Sequence, residues 1–283
     1  MKEIKKQKNK KRKQILRRRI YMMTAGFFVL LAVAFARGHH SAGKEDDLSS
    51  KTKEVIQNKT QEEMYTSRLE RVKAMAKNQG YPKGVIELLD KNEDTIDFVE
   101  DYGEKKDQAA AKNIGVKIQK GTIPELIQWD ERWGYAPYGS ETIIAVSGCG
   151  PTALSMVISG LLQDASITPA VVADYASSNG YLDENLDTKW ELMTNGVEHF
   201  GLSGSILGLD ENAMINVLSV GCPIICSMGP GIFTTTGHFI VLTGYQDGAF
   251  TVHDPASKVR TSQTYTFQEI SGQIKNMWYF AKN

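Results

Sequence analysis

Cys149, His238 and Asp254, in that order along a chain of 283 residues, are the residue types that make a nucleophile, a base and a group to orient the base. Cys149 lies in "GCGPTALSM", between two glycines and just ahead of Pro151. A proline suits the first turn of a helix because its missing N–H has no intrahelical partner there, and residues 153–162 are rich in helix formers. Cys149 is therefore expected at a helix N-terminus. Unpaired N–H groups and the positive end of the helix dipole favour the thiolate at that point, and the thiolate is the nucleophilic form. The alternative is plain packing in a glycine-rich turn, since free cysteines are among the most buried residues.

A base must come from elsewhere in the chain. Of the five histidines, His39 and His40 follow in a polar stretch, His199 stands beside Phe200 in a helical pattern, and His253 falls in a strand pattern. His238 opens "HFIVLTGY", a buried-looking strand after Gly237, and is the best-placed candidate. The segment "QDGA" at 246–249 carries the Asp-Gly pair favoured in two-residue hairpins, and the returning strand "FTVHD" stops at Asp254, before Pro255. A symmetric hairpin would put Asp254 opposite Val241, on the wrong face and about 10 Å from His238 along the strand. A single bulge, at Gly244 or Gly248, would bring it opposite Ile240, on the face of His238 and about 7–8 Å away between backbones. The catalytic reading thus demands a bulge. Without one, Asp254 is a turn residue ahead of a proline.

The elements that must hold these residues follow from periodicity. Helices are predicted over 153–162, 168–178, 190–200 and 210–220. Strands are predicted over 223–228, 238–245, 249–254, 259–266 and 277–281, with a short helix at 267–274 before the last. Helices followed by an antiparallel sheet make an α+β order. Upstream, Val85-Ile86-Leu88-Leu89 and Ile96-Phe98-Val99 form two short amphipathic patterns around a helix-starting turn at 92–95, read as a helical pair without chemistry of its own. Residues from 38 to about 77 are polar and helix-favouring, as in a stalk. The expected organisation is a basic tail at 1–19, an apolar segment at 20–36, a helical stalk and adaptor at 37–115, and the catalytic domain at 116–283.

The net charge of zero hides a segregation. Residues 1–19 hold 11 of the 33 Lys and Arg against one acid, leaving 22 basic and 32 acidic side chains in the remainder. The uncharged run "IYMMTAGFFVLLAVAFA" at 20–36 follows directly and reaches about 26 Å as a helix, the short end of a bilayer span. This predicts a single-pass signal-anchor with the N-terminus cytoplasmic and everything after Arg37 outside. Ala34-Phe35-Ala36 also fits a cleavage site, in which case the domain is secreted. Topology accounts for the basic tail, so no nucleic-acid partner is expected. Three cysteines make no disulfide framework. Cys222 and Cys226, four apart in an expected strand, would stand about 13 Å from each other and pack in the core. No histidine or second cysteine pair accompanies them, so neither zinc nor any other cofactor is expected.

Taken in order, "QWDERW", "GCGPTALSM", "GHFIVLTGY" and "FTVHDP" resemble the papain-like cysteine peptidases related to the bacteriocin leader-processing, double-glycine peptidases, and most of all their stand-alone exported branch in Gram-positive bacteria. The resemblance covers about residues 120–283. It implies Cys149 as nucleophile, His238 as base and then acid, Asp254 as the orienting carboxylate, and Gln128 with the Cys149 N–H as oxyanion hole. The leader-processing members are fused to an export ATPase, and this sequence contains no Gly-x-x-x-x-Gly-Lys-Ser/Thr loop, so double-glycine leaders are not carried over as substrates. The expected function is a membrane-tethered extracytoplasmic peptidase acting on peptides, proteins or cell-wall peptide through a thioester. The alternative from another class is an inactive papain-like binding or scaffold module at the cell surface.

Overall fold

A computed structural model describes residues 42–283. The basic tail at 1–19 and the apolar segment at 20–36 lie outside the described residues. Among the described residues no helix is long and apolar enough to cross a membrane. Helix α1 covers Ala42–Asn78, and from Thr66 onward the chain forms one compact unit that ends at Asn283.

Within that unit the helical pair takes the form of α2 (Lys83–Lys91), a 3-10 turn at Glu93–Thr95, α3 (Ile96–Glu100) and α4 (Tyr102–Lys105). Both amphipathic patterns bury their apolar side: Val85, Leu88 and Leu89 from α2, then Ile96, Phe98 and Val99 from α3. Gly84 lets α2 approach α5 (Ile144–Ser147) closely, since a Cβ there would stand 2.8 Å from Val146. Phe98 stacks on Tyr135 with ring centroids 4.0 Å apart, and the Tyr135 hydroxyl donates to the Phe98 carbonyl at 2.9 Å.

Helix α6 (Cys149–Leu162) is buried on every side from Gly150 to Gly160, the signature of a central helix. Pro151 sits in its first turn, as its missing N–H requires. Helix α7 (Pro169–Ser178) packs against it and is capped by Thr168, whose Oγ1 accepts from the Val171 N–H. The expected helix at 190–200 is instead two 3-10 turns, Trp190–Met193 and Val197–Phe200. Gly204 presses against the carbonyl of Met193 so closely that a Cβ would lie 1.8 Å from its oxygen, and this contact comes from a strand that periodicity did not reveal, β1 (Leu202–Ile206). Helix α8 (Glu211–Ser219) follows, capped by Asp210.

The remaining strands are β2 (Ile224–Met228), β3 (His238–Gln246), β4 (Ala249–His253), β5 (Thr264–Tyr265) and β6 (Ile274–Lys282). They form one antiparallel sheet in the order β1-β6-β2-β3-β4-β5. Alternation along β3 divides the core: Phe239 and Val241 face the cluster built on α6 and α7, while Ile240 and Leu242 face the cluster that includes Met214 and Leu218 of α8. The α+β class is as expected, with β1 inserted among the helices. The strand expected at 259–266 is mostly absent. Ser257 caps a turn of helix α9 (Lys258–Thr261), its Oγ accepting from the Arg260 N–H at 3.2 Å, and only Thr264–Tyr265 pairs with β4. The helix expected at 267–274 ends sooner, as α10 (Phe267–Ile270) and a 3-10 turn at Ser271–Gln273. Cys226 is fully buried in β2, whereas Cys222 lies in the turn before it and is partly exposed, which corrects its expected place in the strand and core.

Phe98, 2 % exposed, anchors the helical pair to the rest of the unit. Phe98→Ala should lower the urea-unfolding free energy by about 3–5 kcal/mol. Hydrogen exchange should rise more within residues 83–105 than within β3.

Candidate active site

Cys149 is the first residue of α6, so its N–H points out of the helix end without an intrahelical partner. Both flanking glycines are sterically required. A Cβ on Gly148 would lie 2.6 Å from the Ile144 carbonyl oxygen, and one on Gly150 would lie 2.5 Å from Thr188 Oγ1. Thr188 is itself fixed, its hydroxyl 2.8 Å from that of Tyr138. The helix start is thereby clamped between α5 and the segment leading to Trp190, with the Cys149 side chain partly exposed.

The bulge demanded by the geometry of the hairpin exists. Gln246 pairs with Ala249, Tyr245 with Phe250 and Gly244 with Thr251, after which Leu242 pairs with Val252 and Val241 with His253. Thr243 is the extra residue, next to Gly244. Asp247 and Gly248 adopt positive φ, 53° and 82°, as an Asp-Gly hairpin turn needs. Continuing the register sets Asp254 opposite Ile240 and on the face of His238. His238 Nε2 lies 2.8 Å from Asp254 Oδ1, which leaves Nδ1 outside that bond, and Cys149 is among the groups that favour the protonated ring.

Burial works against charge on both members of this pair. For the His238 ring, 8 % exposed, burial alone would favour the neutral form, but the Asp254 charge and hydrogen bond, together with Cys149, override it and hold the ring's pKa well above the ordinary histidine value. For Asp254, with no exposed surface, burial would favour the acid, yet His238 and Arg260 hold the carboxyl below its usual range. Every oxygen of that carboxylate is engaged. Oδ1 accepts from His238 and from the Ala256 N–H at 2.8 Å, and Oδ2 accepts from Arg260 Nε. The Asp254 N–H donates to Thr261 Oγ1 at 2.8 Å.

Gln128, 6 % exposed, is brought to the same place by two bonds. Its backbone N–H donates to the Pro255 carbonyl, and its side-chain Nε2 donates to the carbonyl of Ala145, in the turn of helix that precedes Cys149, both at 2.8 Å. The Ala145 bond uses one of the two amide hydrogens and orients the amide beside the start of α6, while the buried Oε1 has no hydrogen-bond partner. The structure thus assembles all four residues singled out from the sequence, Gln128, Cys149, His238 and Asp254.

The other histidines are elsewhere. His199 is exposed and stacks on Tyr175 with centroids 4.2 Å apart, and the His253 ring, its pKa lowered by burial, lies in β4. His39 and His40 fall outside the described residues. Among the described residues no cluster of His, Cys, Asp and Glu is suited to hold a metal ion. Sequence reasoning missed Arg260 and Thr261, because 259–266 reads as a strand. Ser257, a capping residue straight after the strand-ending Asp-Pro, was the available signal that this segment turns back on Asp254. It also missed Asn92, whose Nδ2 donates to the Ala256 carbonyl at 2.8 Å.

A cysteine at the start of a buried helix, facing an imidazole and carboxylate carried by an antiparallel sheet, is the layout of the papain-like cysteine peptidases. The chain belongs to the Peptidase_C39 like family, whose model matches residues 121–283. No curated protein matches it. Among solved structures it is similar to the peptidase domain of Streptococcus ComA, a bi-functional ABC transporter involved in a quorum sensing pathway. That match has 15 % identity and a TM-score of 0.38, over 48 % of this chain and 92 % of that one. It is also similar to a C39-like peptidase from Bacillus anthracis, with 13 % identity and a TM-score of 0.37, over 59 % of this chain and 98 % of that one.

The two shifts set a pH window. His238, raised above its ordinary 6.5, contributes stability that is complete below about pH 6.5 and is lost as pH rises through the raised value. Asp254, lowered below 3.8, contributes stability that is complete above about pH 3.8 and is lost as pH falls through the lowered value. The stability difference between wild type and Asp254→Asn should therefore be largest between about pH 4 and 6.5, about 3–5 kcal/mol for breaking a buried pair, and should shrink towards pH 10. Urea unfolding at a series of pH values measures it.

Proposed function

We propose that the protein is a membrane-tethered, extracytoplasmic cysteine peptidase. The observation that carries this reading is the His238 ring held by Asp254 at 2.8 Å through Nε2, with its other nitrogen left for Cys149 at the head of α6. The Cys149 thiolate attacks the carbonyl carbon of the scissile peptide bond, and the carbonyl electron pair moves onto oxygen. The Cys149 N–H and the free amide hydrogen of Gln128 receive that oxyanion. Collapse breaks the C–N bond, and His238 gives its proton to the departing amine, leaving a thioester on Cys149. Water then attacks the thioester while His238 takes its proton, and collapse of the second oxyanion releases the carboxylic acid and restores the thiolate and imidazolium.

Asp254 keeps the ring in the orientation and tautomer that this exchange needs. The substrate class is peptide or protein, with cell-wall peptide among the candidates that an outward-facing domain would meet. Tethering rests on the uncharged run at 20–36 behind the basic tail. Membrane fractionation tests it: the full chain should sediment with membranes, and a chain lacking residues 1–36 should not.

The chemistry is tested by iodoacetamide labelling of Cys149 in the full chain, followed by mass spectrometry across pH. Wild type should label rapidly at pH 6, and His238→Ala should slow labelling about 10²-fold or more. Labelling that rises only near pH 8.5, the value of a free thiol, in both proteins would overturn the reading in favour of an inactive binding module. With a peptide-library substrate, Cys149→Ser should abolish cleavage, and Gln128→Ala should reduce kcat about 10²–10³-fold with the labelling rate little changed, because alkylation develops no oxyanion.

A further inference from the structure

The Asp254 carboxylate has a cationic partner that the acyl-transfer scheme does not use. Arg260 Nε donates to Oδ2, the oxygen that His238 leaves free. The guanidinium is brought there by the local fold. Asp254 ends its run at Pro255, Ser257 caps α9 through the Arg260 N–H, and the Tyr265 hydroxyl donates to the Arg260 carbonyl at 3.1 Å. Thr261, one residue further on, accepts from the Asp254 N–H. Residues 254–261 thus close on themselves, with the arginine folded back onto the carboxylate.

Charge decides what this contact is for. In its active state the row reads Cys149 thiolate, His238 imidazolium, Asp254 carboxylate: two negative charges and one positive, with Asp254 wholly buried and His238 nearly so. A net buried charge is costly, and the row can shed it by taking up a proton. Adding Arg260 makes the signs alternate and the sum zero. We propose that Arg260 is a positioning residue that neutralises the catalytic row and locks the Asp254 carboxylate so that it serves His238 through one oxygen only.

This inference rests on the peptidase reading above. Other charged or titratable groups around the row are Tyr138, with Asp183 and Asp187 behind it, on the Cys149 side. On the Asp254 side they are Tyr265, with Glu269 behind it; the Lys258 ammonium of α9 lies over the Trp129 ring. The side chains that hydrogen-bond the carboxylate are those of His238 and Arg260.

Removing a positive charge raises the proton affinity of every neighbour, so the pH midpoint of Cys149 labelling must move upward. In the full chain, Arg260→Gln and Arg260→Met should raise that midpoint by about one pH unit relative to wild type, the scale of one charge acting across a partly buried row. Arg260→Lys, which keeps the charge, should leave it within a few tenths of a unit. An arginine that served only packing would lower the melting temperature of the neutral variants and leave their midpoint where it is, and that result overturns the inference. If neither neutral variant folds, the Asp254→Asn/Arg260→Gln double variant decides. Recovery of folding supports the charge argument, because the buried carboxylate has gone, and failure to recover overturns it. Wild-type labelling that is slow at pH 6 and indifferent to His238→Ala would instead defeat the peptidase reading itself.

Discussion

The Asp254 carboxylate carries its charge with no surface in contact with water, and much of the site's architecture answers that constraint. An unpaired ion in such a place costs several kcal/mol, so its oxygens must be met by donors and its charge by cations. His238, the Ala256 N–H and Arg260 do this. The two residues that follow extend the constraint outward. Pro255 accepts from the Gln128 N–H, and Ala256 accepts from Asn92. Three consecutive residues therefore tie His238, Gln128 and the N-terminal helical pair to a single turn. Each tie is ordinary in strength, but together they leave that turn few alternative conformations.

Cys149 is held on a different principle. Helix α6 is buried all round, and its first residues are wedged between Ile144 and Thr188 with room only for glycine on either side of Cys149. Such a helix cannot shift to meet a partner, since close-packed interiors resist displacement. The His238 ring must be delivered to it. Delivery is set by the register of β3 against β4, where the extra residue Thr243 moves Asp254 by one position and so onto the face of His238. A side-chain period of two makes the arrangement all-or-none, because without the bulge the carboxylate would project from the opposite face of the sheet.

This explains which parts of the site were legible in the sequence. Cys149, His238 and the need for a bulge could be read because each follows from a local rule: proline in a first turn, a strand of period two, an Asp-Gly hairpin. The strand β1 could not. Its "LSGSI" has a glycine at the middle, which weakens a strand pattern, and the reason for that glycine is the Met193 carbonyl, a contact made only in the folded chain. The helix expected at 190–200 is replaced by two separate 3-10 turns, among which its apolar residues are apportioned. Arg260 was hidden by β propensity. Val259, Thr261, Thr264, Tyr265 and Thr266 are residue types that favour a strand, yet Ser257 offers a helix cap and the buried Asp254 demands a cation, and together these outweigh a preference worth at most about 1 kcal/mol.

The helical pair at 83–105 reaches the site through a single hydrogen bond. Amphipathicity alone marks it as a covering element without chemistry, and its salt bridges to α1, Arg68 with Asp97 and Glu100 and Lys73 with Asp90, sit at the surface, where such pairs contribute little. Its attachment comes from apolar burial, above all Phe98 against Tyr135. What makes it part of the site is the turn between its helices, where Asn92 uses Oδ1 to cap the 3-10 turn, accepting from the Asp94 N–H, and Nδ2 to hold the Ala256 carbonyl. The N–H of that same Ala256 holds Asp254 Oδ1. One residue thus separates the helical pair from the carboxylate that hydrogen-bonds His238, so displacing residues 83–105 would remove one of the fixed points on which the orientation of that ring depends.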